Sequence, residues 1–261
     1  MLVVGLTGGI ASGKSTVTQL LKDRKVPVID LDVLARVAVE PESYALSALV
    51  RHFGSGILRD DGTLNREKLG GIVFNNEKER KVLNSIVHPA VRRLLAWELV
   101  KAWLRGEKLC VVDAPLLVEA GLWKLCGAIV VVYCSEILQL QRLRSRNNLS
   151  LADAQARLSA QAPLSSKLKY ADHVIDNSGP LGDLTAQVDH VVGRLNARAG
   201  WSWVLSWLCP PVGIVRAMLC VGWRLWIKGV GKEKTRRTRG ERRPESIELK
   251  ERGRRRGSDA S

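Results

Sequence analysis

Residues 8–15 read GGIASGKS, a complete match to the pattern G-x-x-x-x-G-K-[ST]. An apolar stretch, residues 2–6, comes directly before them, and a helix-forming stretch, residues 16–22, follows. The glycines let backbone N–H groups point inward around an anion, and the helix directs its positive end at the same anion. A glycine-rich turn without a ligand is the alternative. Because strand, loop, Lys-Ser and helix occur in order, the sequence predicts a nucleoside-triphosphate site.

Two side chains of this loop have distinct chemical uses. Lys14 can reach the β- and γ-phosphates of a bound triphosphate, and the Ser15 hydroxyl can join the ligands of Mg²⁺. The loop therefore predicts that ATP binds together with Mg²⁺.

The first 200 residues alternate strand and helix signals, which favours a parallel sheet with helical crossovers. Ser135 and Ser150 are placed to cap helices. The predicted fold class is α/β, a P-loop NTPase resembling nucleoside monophosphate kinases. Five short strands are expected, at residues 2–6, 26–29, 109–112, 128–133 and 173–175. The helices between the second and third strands are expected to break at Pro41, at residues 60–62 and around residues 88–89, and a last helix is expected to end near Arg198.

Aspartates follow several of these strands, and ligands of open α/β sheets bind outside the carboxyl ends of the strands. Asp32, just past the second strand, could accept the proton of an attacking hydroxyl or orient Mg²⁺. Asp113 follows four apolar residues, the Walker B pattern, and could hold Mg²⁺ through water. Either carboxylate could instead cap the helix or turn that follows it.

Basic residues after the fourth strand suggest a mobile element over the phosphates. Arg142 and Arg146 lie one turn apart on the same helix face, where they could neutralise charge on the transferring phosphoryl group. A solvated basic helix face is the alternative. His88 precedes a proline near an expected helix start, which favours a structural role as a capping or core residue over a catalytic role.

Composition limits the possible partners and the compartment. Of the net charge of +15, +7 belongs to residues 228–261, so the overall charge is not the mark of a nucleic-acid-binding surface. Five cysteines without C-x-x-C spacing indicate free thiols, a reducing compartment and no zinc site. The first strand begins at residue 2, which leaves no room for a signal peptide.

Taken together, these motifs resemble the dephospho-CoA kinase family over residues 1–196. The resemblance depends on eight segments in family order: LTGGIASGKSTV (residues 6–17), DLDVLAR (30–36), DGTLNREKLGGIVF (61–74), LNSIVHP (83–89), DAPLLVEAGL (113–122), RLRSR (142–146), ARLSAQAP (156–163) and ADHVIDNSG (171–179). The chain departs from the family pattern at Leu31, Val118 and residues 147–148, none of which is a phosphate-contacting group.

The resemblance implies transfer of the ATP γ-phosphate to the ribose 3′-hydroxyl of dephospho-CoA. It implies a kinase domain over residues 1–200, with a helical CoA-binding region at about 38–105 and a lid at about 140–170. The implied ATP-binding residues are Gly8, Gly9, Ile10, Ala11, Ser12, Gly13, Lys14, Ser15, Thr16 and Asn177. The implied catalytic residues are Lys14, Asp32, Arg142 and Arg146, the substrate contacts are Asp32, Arg36, Arg66, His88 and Glu119, and the residues predicted for the metal are Ser15 and Asp113.

Residues 201–227 form an apolar segment that contains five of the eight tryptophans, and a basic tail expected to be disordered follows at 228–261. The segment loosely resembles the hydrophobic extension of plant-type members of the family. It could span a membrane as one helix, lie at the membrane interface, or fold back onto the kinase domain. We expect a cytoplasmic enzyme attached to an intracellular membrane through this segment and the tail.

Two other functions are compatible with the same motifs. One is a different small-molecule kinase of this fold, such as a nucleoside monophosphate kinase. The other is a nucleotide-binding membrane adaptor that has lost catalysis, which the presence of Lys14, Ser15, Asp32, Arg142 and Arg146 disfavours.

Overall fold

The computed structural model describes residues 1–74, 76–161, 163–208 and residue 222. Within them, five parallel strands form one sheet in the order β2-β3-β1-β4-β5. The strands are β1 (Leu2–Gly8), β2 (Val28–Asp30), β3 (Leu109–Asp113), β4 (Ala128–Tyr133) and β5 (His173–Asp176). The α/β class and the five expected strands are confirmed, with β2 beginning two residues later than expected.

α-Helices connect β1 to β2, β2 to β3 and β4 to β5, and a short 3-10 helix (Leu122–Leu125) lies in the connection between β3 and β4. The α-helices are α1 (Lys14–Asp23), α2 (Leu31–Val37), α3 (Tyr44–Phe53), α4 (Arg66–Phe74), α5 (Glu77–Leu104), α6 (Glu136–Asn147), α7 (Leu151–Ser159), α8 (Leu164–Leu168) and α9 (Leu181–Leu208). Ser135 caps α6 by accepting from Leu138 N, and Ser150 caps α7 by accepting from Asp153 N. Both expected capping residues therefore perform that role.

The central strands β1, β3 and β4 are buried on both faces because their alternate side chains enter different apolar clusters. Val4, Val130 and Val132 pack in one cluster with residues of α1 and α9. Val112 and Val131 pack in the other cluster with residues of α2 and α5. Strands covered in this way read as nearly continuous apolar runs, as β3 and β4 do.

Strand register brings the polar strand ends to one edge of the sheet. Leu6 of β1 and Asp30 of β2 both pair with Asp113 of β3. The phosphate loop therefore begins just beyond the level of Asp113, on the same edge as Asp32.

Helix α5 is a single helix of 28 residues that contains Pro89, so the predicted break around residues 88–89 is wrong. A proline in a helix removes one backbone hydrogen bond, that to the carbonyl of residue i−4. Pro89 and that residue, Ser85, both lie on the exposed side of α5, where water can satisfy the freed carbonyl. Val87 and Val91 on the inner side pack into apolar clusters and hold the two halves together.

The last helix, α9, is interrupted at Gly200, whose backbone angles (φ 41°, ψ −157°) are not helical. The interruption is close to the expected helix end near Arg198. Trp203 donates from Nε1 to Glu107 O at 2.9 Å, and its ring lies under the Lys108 ammonium group. Among the described residues, no helix is both long enough and apolar enough to cross a membrane. Apart from residues 201–208 and 222, the apolar segment and the basic tail lie outside the described residues.

Candidate active site

The phosphate loop connects β1 directly to α1, which begins at Lys14. Gly13 precedes it with φ +85°, a left-handed conformation that favours glycine. A Cβ atom at this position would also overlap the side-chain amide of Asn177. The second glycine of the motif is therefore required both by backbone conformation and by space.

Asn177 and Arg142 support the loop from outside. Asn177, nearly buried, donates from Nδ2 to Ser12 O at 2.9 Å, and Arg142 Nη2 donates to Asn177 O at 2.9 Å. Two other polar atoms of this region, Arg142 Nη1 and Ser12 Oγ, are buried and have no hydrogen-bond partner among the described residues. Buried polar groups without partners are rare in native proteins, and they fit a site that binds a polar, anionic ligand.

Two glutamines bind the middle of the loop. Gln139 of α6, 2% exposed, donates from Nε2 to Ile10 O at 2.9 Å. Gln161, between α7 and α8, accepts from Ile10 N at 3.1 Å. The region predicted as a lid therefore contacts the phosphate loop through direct hydrogen bonds.

Lys14 forms an ion pair with Asp113, whose carboxylate is almost completely buried. The other carboxylate oxygen, Asp113 Oδ2, accepts from Thr18 Oγ1 at 2.8 Å. Thr18 is four residues after Lys14 and therefore lies on the same side of α1. The lysine and the carboxylate of the two predicted motifs thus meet directly.

Asp30 and Asp32 have different surroundings. Asp30 caps α2, and its Oδ1 accepts from Asp32 N at 2.8 Å and from Val33 N at 3.2 Å. Asp32 lies in the first turn of α2, exposed, at the wall of a large cavity. Of the two carboxylates, Asp30 stabilises the local fold and Asp32 faces the open space.

This acceptor cavity has a volume of about 450 Å³ and lies between α2, α4, α5 and the segment that follows β3. Its walls are mainly apolar and include Leu69, Val91 and Leu116. The polar side chains that line it are Asp32, Arg66, Asn84, His88 and Arg92. An apolar cleft with a few convergent polar groups is typical of small-molecule sites.

The predicted substrate contacts divide into two groups. Asp32, Arg66 and His88 line the cavity, and His88 lies in the middle of α5 rather than near a helix start. Arg36 is exposed on α2 and is not part of the cavity wall. Glu119 also lies outside the wall and pairs with Lys167 at 3.1 Å.

The two predicted arginines of α6 also differ. Arg142 is partly buried against the phosphate loop, whereas Arg146 is exposed one turn further along. No role was predicted from sequence for Thr18, Arg92, Gln139, Gln161 and Lys167. Thr18 has a sequence signal in its four-residue spacing from Lys14, and Gln161 lies in the segment ARLSAQAP.

Within the described residues, no group of three or more His, Cys, Asp or Glu side chains is arranged to hold a metal ion. Mg²⁺ is usually bound by one or two carboxylates together with substrate phosphates rather than by a protein cage. Of the residues predicted for the metal, Asp113 is the last residue of β3 and Ser15 lies in the first turn of α1.

Among the described residues, Cys110, Cys126 and Cys134 are buried and form no disulfide bond. Burial raises the pKa of Cys110 to about 12 and also raises that of Cys134, the latter opposed by the nearby positive charge of Arg142. High thiol pKa values favour the unreactive protonated form, which agrees with the expected structural role of Cys110 and Cys134.

The family profile described as Dephospho-CoA kinase matches residues 2–183. A Halalkalibacterium halodurans dephospho-CoA kinase is 47% identical over 193 residues, which are 74% of this chain and 96% of that protein. The Arabidopsis thaliana enzyme is 44% identical over 207 residues, 79% of this chain and 88% of that one. The Saccharomyces cerevisiae enzyme is 41% identical over 240 residues, 90% and 99% of the respective chains.

Two solved structures also superpose on most of this chain. The crystal structure of TT1252 from Thermus thermophilus superposes with a TM-score of 0.65 at 36% identity and covers 74% of this chain and 97% of its own. A dephospho-CoA kinase from Campylobacter jejuni superposes with a TM-score of 0.60 at 28% identity and covers 75% and 97%.

Proposed function

This chain belongs to the dephospho-CoA kinase family. We propose that ATP binds on a donor side formed by the phosphate loop, and that dephospho-CoA binds on an acceptor side formed by α2, α4 and α5. The enzyme transfers the γ-phosphoryl group of ATP to the ribose 3′-hydroxyl of dephospho-CoA, giving CoA and ADP, the last step of CoA biosynthesis. The observation that supports the division is the acceptor cavity, which has Asp32 in its wall and lies at the sheet edge where the phosphate loop begins.

On the donor side, backbone N–H groups of the phosphate loop bind the phosphates, whereas those of Ile10 and Ser12 donate to Gln161 and to Gly9 O. Lys14 exchanges Asp113 for the β- and γ-phosphates, and the unpartnered Arg142 Nη1 becomes hydrogen bonded to the nucleotide. Arg146, exposed on the same helix, approaches the transferring group when the lid closes. Asn177 holds the loop through Ser12 O and contacts the nucleotide from the same position.

On the acceptor side, Asp32 orients the 3′-hydroxyl and accepts its proton. The oxygen of that hydroxyl forms a bond to the γ-phosphorus while the bond from this phosphorus to the ADP oxygen breaks. Arg66 and His88 bind the polar parts of dephospho-CoA, and the apolar walls bind the rest. Arg36 and Glu119 lie outside the cavity wall, and we assign neither of them a direct contact with dephospho-CoA.

We propose Mg²⁺ as the metal of the reaction, with Ser15 and Asp113 as its protein ligands. When bound, the ion neutralises charge on the phosphate oxygens. Thr18 holds the Asp113 carboxylate in a fixed orientation while Lys14 turns to the phosphates.

We also propose that the enzyme is cytoplasmic and is attached to an intracellular membrane through residues 201–227 and the basic tail. The supporting observations are the apolar, tryptophan-rich composition of the segment and the +7 charge of residues 228–261. Tryptophan favours the membrane interface, and clustered Lys and Arg residues favour anionic lipid headgroups.

The test of the reaction is ADP release from Mg²⁺·ATP by the full chain with dephospho-CoA, AMP, CMP or no acceptor. We expect release with dephospho-CoA alone, together with a product of the mass of CoA. Release with a nucleoside monophosphate instead would contradict the assigned acceptor, and ATP binding without release would favour the adaptor.

A further inference from the structure

Lys167 of α8 is a buried lysine, 2% exposed, to which the reaction described above assigns no role. Its ammonium group lies 2.6 Å from Pro115 O, 3.4 Å from Gly8 O and 3.1 Å from Glu119 Oε1. An ammonium group has three N–H donors, and here each has an acceptor, one of which is negatively charged. Burying a charge is costly without such partners, so this arrangement stabilises one position of the lysine.

The three acceptors belong to segments that face different substrates. Gly8 is the first residue of the phosphate loop, whereas Pro115 lines the acceptor cavity. Pro115 O also accepts from Thr7 Oγ1 at 3.0 Å, so strand β1 and Lys167 hold the same carbonyl. The lysine thus connects the donor side, the acceptor side and the helix at the end of the lid region.

We propose that Lys167 is a positioning residue that sets the separation between the γ-phosphate and the acceptor hydroxyl, and that Glu119 acts through Lys167 rather than on the substrate. The proposal rests on the division into donor and acceptor sides given above. All three donors of Lys167 are directed at protein oxygens, so its effect on the reaction is transmitted through Gly8 and Pro115.

Loss of the ammonium group leaves most substrate contacts in place. The phosphate loop keeps its hydrogen bonds from Gln139 and Asn177, and the cavity keeps its polar groups on α2, α4 and α5. What changes is the spacing between the two sides, and a misplacement of about 1 Å can reduce a rate about 10²-fold. Water, which needs less precise placement than the ribose hydroxyl, then competes better as the acceptor.

The main experiment uses Lys167→Met in the full chain. Active sites are counted by ATP binding, and ADP and CoA are measured in the same reaction. We expect kcat per site to fall about 100-fold while KM changes little for both substrates, and the ratio of ADP to CoA to rise above that of the unmodified enzyme. Lys169→Met, at an exposed position two residues away, is the matched control and should leave all three quantities unchanged.

A merely structural role predicts a different pattern. The number of ATP-binding sites and the amounts of ADP and CoA formed would then all decrease in proportion. The kcat per site would be normal, and the ratio of ADP to CoA would be unchanged. That result would overturn the proposal, as would a rise in KM for dephospho-CoA with normal kcat. Turnover of dephospho-CoA by the unmodified enzyme in the same assay separates either result from a failure of the assigned reaction.

Glu119→Gln tests the second half of the proposal. We expect a lower kcat with an unchanged KM for dephospho-CoA, and no further decrease when the change is added to Lys167→Met, because residues acting through one contact are not additive. An independent rise in KM in both backgrounds would show that Glu119 contacts the substrate. If Lys167→Met yields no folded enzyme, Glu119→Gln decides alone: a lower kcat supports the proposal, and an unchanged kcat overturns it.

Discussion

The donor side and the acceptor side of this enzyme are built in different ways. The phosphate loop is held by paired polar groups: Lys14 with Asp113, Asn177 with Ser12, and Gln139 with Ile10. The acceptor cavity is formed mainly by apolar walls on separate helices, with polar side chains at only a few points. Substitutions on the donor side are therefore expected to act on catalysis and on ATP, and those on the acceptor side mainly on dephospho-CoA.

The two sides also differ in how much added side-chain volume they tolerate. A Cβ at Gly13 overlaps a neighbouring side chain, so the donor side has no spare volume at its centre. The acceptor cavity leaves about 450 Å³ open and depends on packing between helices. The donor side thus has closer contacts at Gly13, and we expect the shape of the acceptor cavity to determine the substrate.

The largest effect is expected from Lys14→Ala. The change removes the positive charge that we assign to the β- and γ-phosphates, and it leaves the buried Asp113 carboxylate without its cation. We expect turnover to fall by ~10³-fold or more, measured as ADP formation with dephospho-CoA. Lys22→Ala, at an exposed position of the same helix, is the control. Near-normal turnover of the Lys14 variant would contradict the donor-side assignment.

Asp32→Asn tests where the two sides meet. We expect kcat to fall about 10²–10⁴-fold, the usual contribution of a general base, with little change in KM for ATP. Asp30→Asn is a matched control because it removes the same charge two residues away while asparagine retains the capping function. If both variants behave alike, proton transfer does not depend on Asp32.

Arg142→Met should lower kcat/KM for ATP about 10–100-fold, the value of one or two hydrogen bonds to a charged group. Steady-state kinetics with varied ATP measure the effect, and Arg144→Met, exposed on the same helix, is the comparison. Equal losses in the two variants would favour a general effect of charge over a specific contact.

Arg66→Met should raise KM for dephospho-CoA about 10-fold and leave KM for ATP unchanged, which would separate the two sides kinetically. Lys68→Met in the same helix, exposed and not part of the cavity wall, should change neither constant. A rise in KM for ATP would show that the two sides are not independent.

The smallest effect on activity is expected when the chain ends after Leu208. This change keeps Trp203 and its hydrogen bond to Glu107, so both sides of the site should remain intact. We expect unchanged turnover and loss of sedimentation with anionic vesicles. A full chain that does not sediment with vesicles would contradict the proposed membrane attachment.

Much of the donor side could be predicted from sequence because its parts are local or lie at strand ends. Residues 8–15 form a continuous motif, and Asp113 follows a recognisable strand. Parallel pairing then brings both to one edge. Thr18 could have been included, since its spacing from Lys14 determines the shared helix face.

The acceptor side could not be predicted to the same degree because it depends on how helices pack. The prediction of a helix break at residues 88–89 was wrong since local preference for a break is weaker than packing on both sides of Pro89. Lys167 had no sequence signal, because its partners Gly8, Pro115 and Glu119 are distant along the chain.

The ion pair between Lys14 and Asp113 has a consequence for selectivity. In the free enzyme each charge is already neutralised by the other, so an anion that binds Lys14 draws the lysine away from the Asp113 carboxylate. In the proposed reaction, a metal-bound triphosphate would bring an anion for Lys14 and a cation for Asp113 in one event, so that both charges stay balanced. The ion pair therefore favours a metal-bound triphosphate over a simple anion such as chloride, which would leave the Asp113 carboxylate without a cation.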